Sequence, residues 1–146
     1  MSRDERIEKE RIEFNEWKST ISCYGNPNKG DRTWNVIMDG PSDSPYMGGK
    51  FKIQIYFPDN YPSQKPDVLF KTPICHININ GEHICISSLN EYNQNYSIVD
   101  ILNSIFMMLT SPNEYSAYST YKNLYINNYT EYLAKARQMT REYAKI

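Results

Sequence analysis

Residues 50–57 read KFKIQIYF, and this stretch is the most regular part of the sequence. Apolar and polar side chains alternate through it, as they do when successive residues of a β-strand point to opposite faces of a sheet. The apolar set is Phe51, Ile53, Ile55 and Phe57, and the other set is Lys50, Lys52, Gln54 and Tyr56. A strand with one apolar and one polar face is typical of an antiparallel sheet. The stretch therefore predicts an antiparallel sheet with one buried face.

Three further strands are predicted around this one. Residues 33–38, TWNVIM, are rich in strand-favouring residues, and residues 23–25 and 67–71 supply two shorter segments. Turn residues at 26–30 and the prolines Pro58, Pro62 and Pro66 interrupt the pattern, because proline cannot donate to a β-ladder. No helical stretch separates the four strands, so they are expected to form an antiparallel meander rather than βαβ units.

Helices are predicted on both sides of the strands. Residues 3–19 form an amphipathic helix whose apolar face holds Ile7, Phe14, Trp17 and Ile21. The tetrapeptide at 97–100, SIVD, is a capping-box pattern that begins a central helix, and the tripeptide at 111–113, SPN, ends it. The expected buried face of the central helix is Ile98, Ile101, Leu102, Ile105, Phe106 and Leu109.

Two C-terminal helices complete the prediction. A weaker one is expected over residues 118–129, and a final one over residues 130–145 packs through Leu133, Met139 and Tyr143. The predicted fold class is α+β, with an N-terminal helix, a four-stranded antiparallel meander, a loop segment, a central helix and C-terminal helices. The chain has 146 residues, of which 40% are hydrophobic and 23% charged, and this fits a single domain over residues 1–146.

Charge, hydropathy and cysteine content exclude several functional classes. The 16 basic and 17 acidic residues give a net charge of −1, whereas non-specific nucleic-acid binding requires a basic surface, so no nucleic-acid partner is expected. No apolar run is long enough for a bilayer, the charged start lacks a signal-peptide core, and position 2 is Ser rather than Gly, so no membrane association is expected. Three cysteines form no pairing framework, which favours a reducing compartment, cytoplasmic and/or nuclear.

Residues 76–86, HININGEHICI, are the candidate site for chemistry. The segment is polar, contains a glycine and has no hydrophobic period, so a loop is predicted that ends in Cys85 between two isoleucines. Loops held by a rigid scaffold often carry catalytic groups. Cys85 is a nucleophile if its thiolate is accessible. The alternative is an inert, small, buried hydrophobe.

Three ordered stretches carry a resemblance to the ubiquitin-conjugating enzymes, the E2 family. Residues 76–86 resemble the family's active-site segment, in which His-Pro-Asn precedes Gly-x-Ile-Cys. Residues 39–51, DGPSDSPYMGGKF, are similar to its Gly-Pro...Pro-Tyr-x-Gly-Gly-x-Phe segment, and residues 57–66, FPDNYPSQKP, to its Phe-Pro-x-x-Tyr-Pro-x-x-x-Pro segment. The resemblance extends over residues 3–146 and implies the ubiquitin-conjugating (UBC) fold.

The resemblance implies a role for several residues. Cys85 would accept ubiquitin from the activating enzyme (E1) as a thioester and pass it to a substrate amine or to a cysteine of an E3 ligase, without cofactor or metal. Asn78 matches the motif asparagine, which is assigned to oxyanion stabilisation or to loop support. Ser87 stands where many E2s have an Asp that helps a lysine attack, and Ser116 matches the gate position, where relatives carry Asp or Ser.

The segment departs from the family pattern in two ways. Ile77 replaces the motif proline, so the loop loses a fixed φ and gains an N–H. The His-to-Cys interval is nine residues, one shorter than the family interval of about ten. Asn80 is therefore an alternative to Asn78 for the role of the motif asparagine.

Partner contacts are also implied by the resemblance. Arg6 and Lys9 match basic E1-contacting positions of the first helix, with ordinary surface charge as the alternative. Ser63 replaces a frequent Phe of the E3-contacting surface. Tyr92 replaces the tryptophan of the loop after the active site, and Asn93, Gln94 and Asn95 replace its Ser-Pro-Ala.

The same segment raises the questions of a metal site and of the role of His76. The spacing of Cys75, His76, His83 and Cys85 matches no standard zinc-ligand pair, so no metal site is expected. His76 is interpreted as a structural histidine that fixes the loop by hydrogen bonds. Three functions stay open: an active E2 for ubiquitin, an E2-like module that binds ubiquitin or a partner E2 without catalysis, and an E2 for another ubiquitin-like modifier.

Overall fold

The computed structural model describes residues 1–116 and 119–145, with the side chain of Ser116 excepted. Within these residues an antiparallel sheet of six strands has the order β1-β2-β3-β4-β6-β5. The strands are β1 Cys23–Tyr24, β2 Thr33–Asp39, β3 Lys50–Tyr56, β4 Asp67–Phe70, β5 Ile79–Asn80 and β6 His83–Ile84. The meander predicted for the first four strands is confirmed.

The alternation of β3 places the core on one face of the sheet. Phe51, Ile53 and Ile55 are at most 1% exposed. Val36 of β2 and Phe70 of β4 lie opposite Ile53 in the register. Because directly opposite residues of an antiparallel pair share a face, these buried side chains form a continuous apolar surface across three strands.

The two short strands of the 76–86 segment correct the prediction of an irregular loop. Ile79 pairs with Ile84 and Asn80 pairs with His83, and β6 joins the sheet through the pairing of His83 with Leu69 of β4. Gly81 has a φ of 64° at the turn, which glycine adopts without steric cost. The segment is therefore a hairpin added to the edge of the meander.

The first helix, α1 (Arg3–Trp17), packs across the core through Ile7 and Phe14. The prediction for Trp17 was wrong, since this side chain is 50% exposed. The helix ends at Trp17 and the following turn brings Ile21 into the core instead. A buried carboxylate at Glu10 accepts a hydrogen bond from the backbone N–H of Ile98 and so links α1 to the central helix.

The central helix, α3 (Ile98–Thr110), begins at the predicted capping box. Asp100 N donates to Ser97 Oγ at 3.0 Å, and Ser97 N donates to Asp100 Oδ2 at 3.0 Å. The predicted buried face is confirmed except at Phe106, which is partly buried, while Met108 is buried. A short helix that was not predicted, α2 (Ser87–Asn90), lies between Cys85 and α3.

The C-terminal helices are shorter than predicted. They are α4 (Lys122–Asn127) and α5 (Tyr129–Tyr143), and Tyr118, where the first was expected to begin, lies outside the described residues. Met139 is buried and Leu133 partly buried, but Tyr143 is exposed. The buried stripe of α5 includes Tyr132, Ala136 and Met139, which recur at i, i+4 and i+7.

Candidate active site

Cys85 directly follows β6 and directly precedes the turn that begins α2. Ile84 and Ile86 on either side are buried, whereas Cys85 itself is partly exposed. The two isoleucines fix the backbone by burial and leave the thiol between them accessible. Cys85 N donates to the backbone oxygen of Asn78 at 2.8 Å, which ties the cysteine to the preceding segment.

The other two cysteines have different surroundings. Cys23 and Cys75 are buried in the core. Burial raises the pKa of each of these thiols to about 12. Because a thiolate is the reactive form, both remain protonated near neutral pH and are inert. Cys23 and Cys75 are therefore core thiols.

Asn78 is the centre of a hydrogen-bond network that holds the segment. Its side chain is fully buried. Nδ2 donates to the backbone oxygen of Asn113 at 2.8 Å, and Oδ1 accepts from the backbone nitrogen of Asn113 at 2.9 Å. The amide therefore joins the segment that carries Cys85 to the loop after α3. Both polar atoms of the side chain are used in this contact.

His76 holds the same segment through hydrogen bonds of its ring. Its ring is buried, contacts Met108 O through Nε2 at 2.9 Å, and accepts from the backbone N–H of Asn78 through Nδ1 at 3.0 Å. Burial lowers the pKa of His76 to about 4, so the imidazole is neutral near pH 7. These contacts match the structural role predicted for His76.

The altered positions of the motif have distinct environments. Ile77 is fully buried in the core, and its carbonyl accepts from Ser119 N at 3.3 Å. Asn80, the alternative to Asn78, lies in β5 with its side chain exposed. Asn80 pairs with His83 across the hairpin, and Asn78 is the one tied to Cys85 through the backbone.

A second asparagine reaches the thiol directly. Asn90, the last residue of α2, donates from Nδ2 to Cys85 Sγ at 3.3 Å. No sequence motif indicated this residue. Its contact with the thiol depends on the turn of α2, which no local pattern indicated.

A groove of about 340 Å³ starts at Cys85 and runs along α3. It is lined by Cys85, Ile86, Ser87, Ser88, Asn103, Ser104, Met107, Met108, Ser111 and Asn113. Ser87 is exposed two residues after the thiol. Ser116, the predicted gate residue, lies in a 3₁₀ turn over Glu114–Ser116, and its side chain lies outside the described residues. Cys85 is therefore one of the residues that line this groove.

The comparison with known proteins identifies the family. A model of the family "Ubiquitin-conjugating enzyme" matches residues 6–140. The chain belongs to the ubiquitin-conjugating enzyme family. Its fold is similar to that of the E2 domain of a Toxoplasma gondii ubiquitin conjugating enzyme, with a TM-score of 0.83 and 27% identity over 96% of this chain and 100% of that chain. The architecture described above is the E2 fold, and membership implies contact with a modifier, E1 and E3 in general.

The positions expected to contact E1 differ in availability. Lys9 of this E2 is exposed on α1. The Arg6 side chain is only 14% exposed, and its guanidinium pairs with Glu10 at 3.2 Å and donates to Tyr96 O at 3.0 Å. Arg6 also lies over the ring of Tyr61, at 5.6 Å from its centroid. These contacts give Arg6 an internal structural role that the sequence did not indicate.

The residues expected at the E3 surface lie on two neighbouring loops of this E2. Tyr92 OH donates to Pro62 O at 2.8 Å and so brings the two loops together. Ser63 is exposed beside Pro62. Asn93, Gln94 and Asn95 are exposed on the other loop, where Asn93 Oδ1 accepts from Asn95 N at 2.8 Å. The four residues therefore lie on two loops that this hydrogen bond joins.

The described residues were also considered as ligands of a metal ion and as parts of a membrane-spanning helix, with the following result. In residues 1–116 and 119–145, no group of three or more His, Cys, Asp or Glu side chains is arranged to hold a metal ion. None of the helices in the same residues combines the length and the apolar character that crossing a membrane requires.

Proposed function

We propose that this E2 is catalytically active and carries ubiquitin as a thioester on Cys85. The observation that supports this most strongly is the environment of the three cysteines. Cys23 and Cys75 are buried, and Cys85 is partly exposed at the start of the groove along α3. A transferase of this kind needs one reachable thiol and no competing nucleophile, which is the arrangement seen.

The reaction replaces the group bonded to the modifier's terminal carbonyl carbon twice. In the first, the Cys85 thiolate attacks the thioester that links the modifier to E1, a new C–S bond forms, and the E1 thiolate leaves. In the second, a substrate amine or an E3 cysteine attacks the Cys85 thioester, and Sγ leaves with the electron pair. No atom changes oxidation state, so the two exchanges need no redox cofactor. ATP is consumed by E1 upstream.

Asn78 is proposed to support the loop. Its side-chain amide is committed to the backbone of Asn113, and its carbonyl accepts from Cys85 N. Lys9 is proposed as an E1 contact because it is exposed on α1. Ser63 and the 93–95 loop are proposed as E3 contacts. We take residues 1–146 as a single domain. We propose that it is cytoplasmic and/or nuclear, because its three cysteines are unpaired.

Two other functions remain candidates. A non-catalytic E2-like module would bind ubiquitin or a partner E2 and is favoured only by the altered triplet at 76–78. An E2 for another ubiquitin-like modifier would use the same thiol. Both differ from the proposal in charging behaviour, so one experiment separates the three.

The test is an E1 charging assay with a panel of modifiers and ATP. Each modifier is incubated with its own E1 and this protein, and the products are separated on a non-reducing gel. The proposal predicts a reductant-sensitive band with ubiquitin. A band with a different modifier alone would identify an E2 for that modifier. The absence of a band with every modifier would support the non-catalytic binding module. Charging with Cys75→Ser should be normal, which provides the matched control.

A further inference from the structure

We propose that Asn90 is a catalytic residue of this E2, and that its side-chain amide stabilises the negative charge which develops during transfer from Cys85. The inference rests on the proposed function, because it names a group that acts in that reaction. Asn90 Nδ2 donates to Cys85 Sγ at 3.3 Å, which puts the amide in contact with the reacting atom.

The geometry of the site leaves this position to Asn90. The Asn78 side chain is fully buried, with Nδ2 donating to Asn113 O and Oδ1 accepting from Asn113 N. Turning this amide toward an oxyanion at Cys85 would break both of these hydrogen bonds. Asn80 ends β5, directly before the hairpin turn, and is exposed. Among these three asparagines, Asn90 is the one that contacts the sulfur.

The local fold holds Asn90 in place. It ends α2, and its backbone N–H donates to Ile86 O at 2.9 Å. Ile86 directly follows Cys85 and is buried, as is Leu89 beside Asn90. The thiol and the amide therefore lie on the two ends of one short turn anchored by two apolar side chains. This arrangement preorganises the donor, which is the property that charge stabilisation requires.

The chemistry places charge where this donor can reach it. The attacking amine forms a C–N bond with the thioester carbonyl carbon, and the π pair of the carbonyl moves onto its oxygen. When this oxyanion collapses, the C–S bond breaks, its electron pair leaves on Sγ, and the proton lost by the amine goes to solvent. Negative charge therefore develops first on an oxygen bonded to the carbon next to Sγ, and then on Sγ itself. An N–H in contact with Sγ stabilises the second charge and is within reach of the first.

The test is single-turnover discharge of the charged enzyme. Asn90→Ala and Asn90→Asp are charged by E1, the E1 reaction is stopped, and free lysine or hydroxylamine is added. Because Asn90 is exposed and water can partly replace its donor, we expect a loss of about tenfold for Asn90→Ala, below the hundredfold or more of a buried oxyanion hole. Asn90→Asp should be slower still, since a carboxylate repels the developing charge. Melting temperatures should be unchanged.

Matched controls are Asn123→Ala and Asn123→Asp, which make the same changes at an exposed position of α4. Discharge within about twofold of the unmodified rate for both Asn90 variants would overturn the proposal. An equal loss in the Asn123 variants would overturn it as well, because the effect would then not depend on contact with the sulfur.

The design separates this inference from the proposed function. If E1 does not charge the unmodified protein with any modifier, the proposed function fails. Cys85 can then be acylated directly with a small peptide thioester, and aminolysis of the adduct compared between the unmodified protein and the Asn90 variants. A slower aminolysis in the variants would still support the role of Asn90, and an equal rate would refute it.

Discussion

Asn78→Ala is expected to destabilise the protein far more than it impairs the chemistry. The substitution removes two hydrogen bonds, of 2.8 and 2.9 Å, to the backbone of Asn113. A typical bond contributes about 1 kcal/mol, and a buried partner left unsatisfied costs about 1–3 kcal/mol. Asn113 is itself exposed, so water can reach part of the freed backbone. The expected loss in the free energy of unfolding is therefore about 2–4 kcal/mol.

A loss of this size is measurable by thermal unfolding. For a chain of this length, 1 kcal/mol shifts the melting temperature by about 2–4 °C, so the midpoint should fall by roughly 5–15 °C. The control is Asn80→Ala, which removes an exposed side chain from the neighbouring hairpin and should change stability by less than about 0.5 kcal/mol. Both variants keep the backbone bond from Cys85 N to residue 78, so E1 charging below the melting transition should be near normal.

An unchanged stability with a large loss of discharge rate would refute the assignment of Asn78 as a loop support. The unfolding free energy of Asn78→Ala could lie within about 0.5 kcal/mol of the unmodified protein while its discharge slowed by about a hundredfold. The amide would then be an oxyanion donor and not a loop support. If Asn80→Ala alone slowed discharge, the shortened segment would have moved the role by two residues. Discharge is measured at a temperature well below both midpoints, so that unfolding does not contribute.

Three further predictions follow from the buried histidine, the acceptor position and a close backbone approach. Burial lowers the pKa of His76 from 6.5 to about 4, so the stability that its neutral form gives is complete above pH 6.5 and falls by about 3 kcal/mol as the pH drops toward 4. Urea unfolding at several pH values should show this loss of unfolding free energy, and His76→Gln should lack it. An equal dependence of stability on pH in the two proteins would contradict the prediction. The family resemblance implies a carboxylate at the position of Ser87, beside the acceptor, and lysine is mostly charged below its pKa of about 10.4. We therefore expect the thioester to discharge faster to cysteine or to an α-amine than to lysine. Ser87→Asp should raise the lysine rate selectively in single-turnover discharge, and brisk lysine discharge that Ser87→Asp leaves unchanged would count against this. A Cβ at Gly40 would lie 1.7 Å from Tyr46 O, within the same loop between β2 and β3, so Gly40→Ala should cost about 3 kcal/mol or more by thermal unfolding. A loss below about 1 kcal/mol would show that the Tyr46 carbonyl moves away at little cost.

The parts of the fold that the sequence predicted are those with a local signal. The alternation over residues 50–57 predicted β3, and the capping box at 97–100 predicted the start of α3, because both patterns depend only on neighbouring residues. The hairpin of β5 and β6 was missed, although the Asn-Gly dipeptide at 80–81 is a turn signal. Its strands are two residues long, and the pairing of His83 with Leu69 depends on a strand elsewhere in the chain.

The candidate site was predicted to a similar extent. Motif order indicated Cys85 and Asn78, and Asn78 was found tied to the cysteine through the backbone. The contact of Asn90 with the thiol could not be read from the sequence, because it depends on the geometry of a turn. Glu10 was likewise missed, since an acidic residue on an amphipathic helix is expected in solvent. Its carboxylate is instead buried against the first turn of α3, and burial raises the pKa of Glu10.

Peptide mapping of the charged protein shows directly whether Cys85 carries the modifier. The protein is incubated with E1, ATP and ubiquitin, and the intact mass and peptide map are determined under non-reducing, mildly acidic conditions. We expect an adduct of one ubiquitin on the peptide that contains Cys85, removed by thiol treatment and converted to a thiol-resistant ester in Cys85→Ser. An adduct on Cys75 or Cys23, or an adduct that persists in Cys85→Ala, would show that Cys85 is not the carrier.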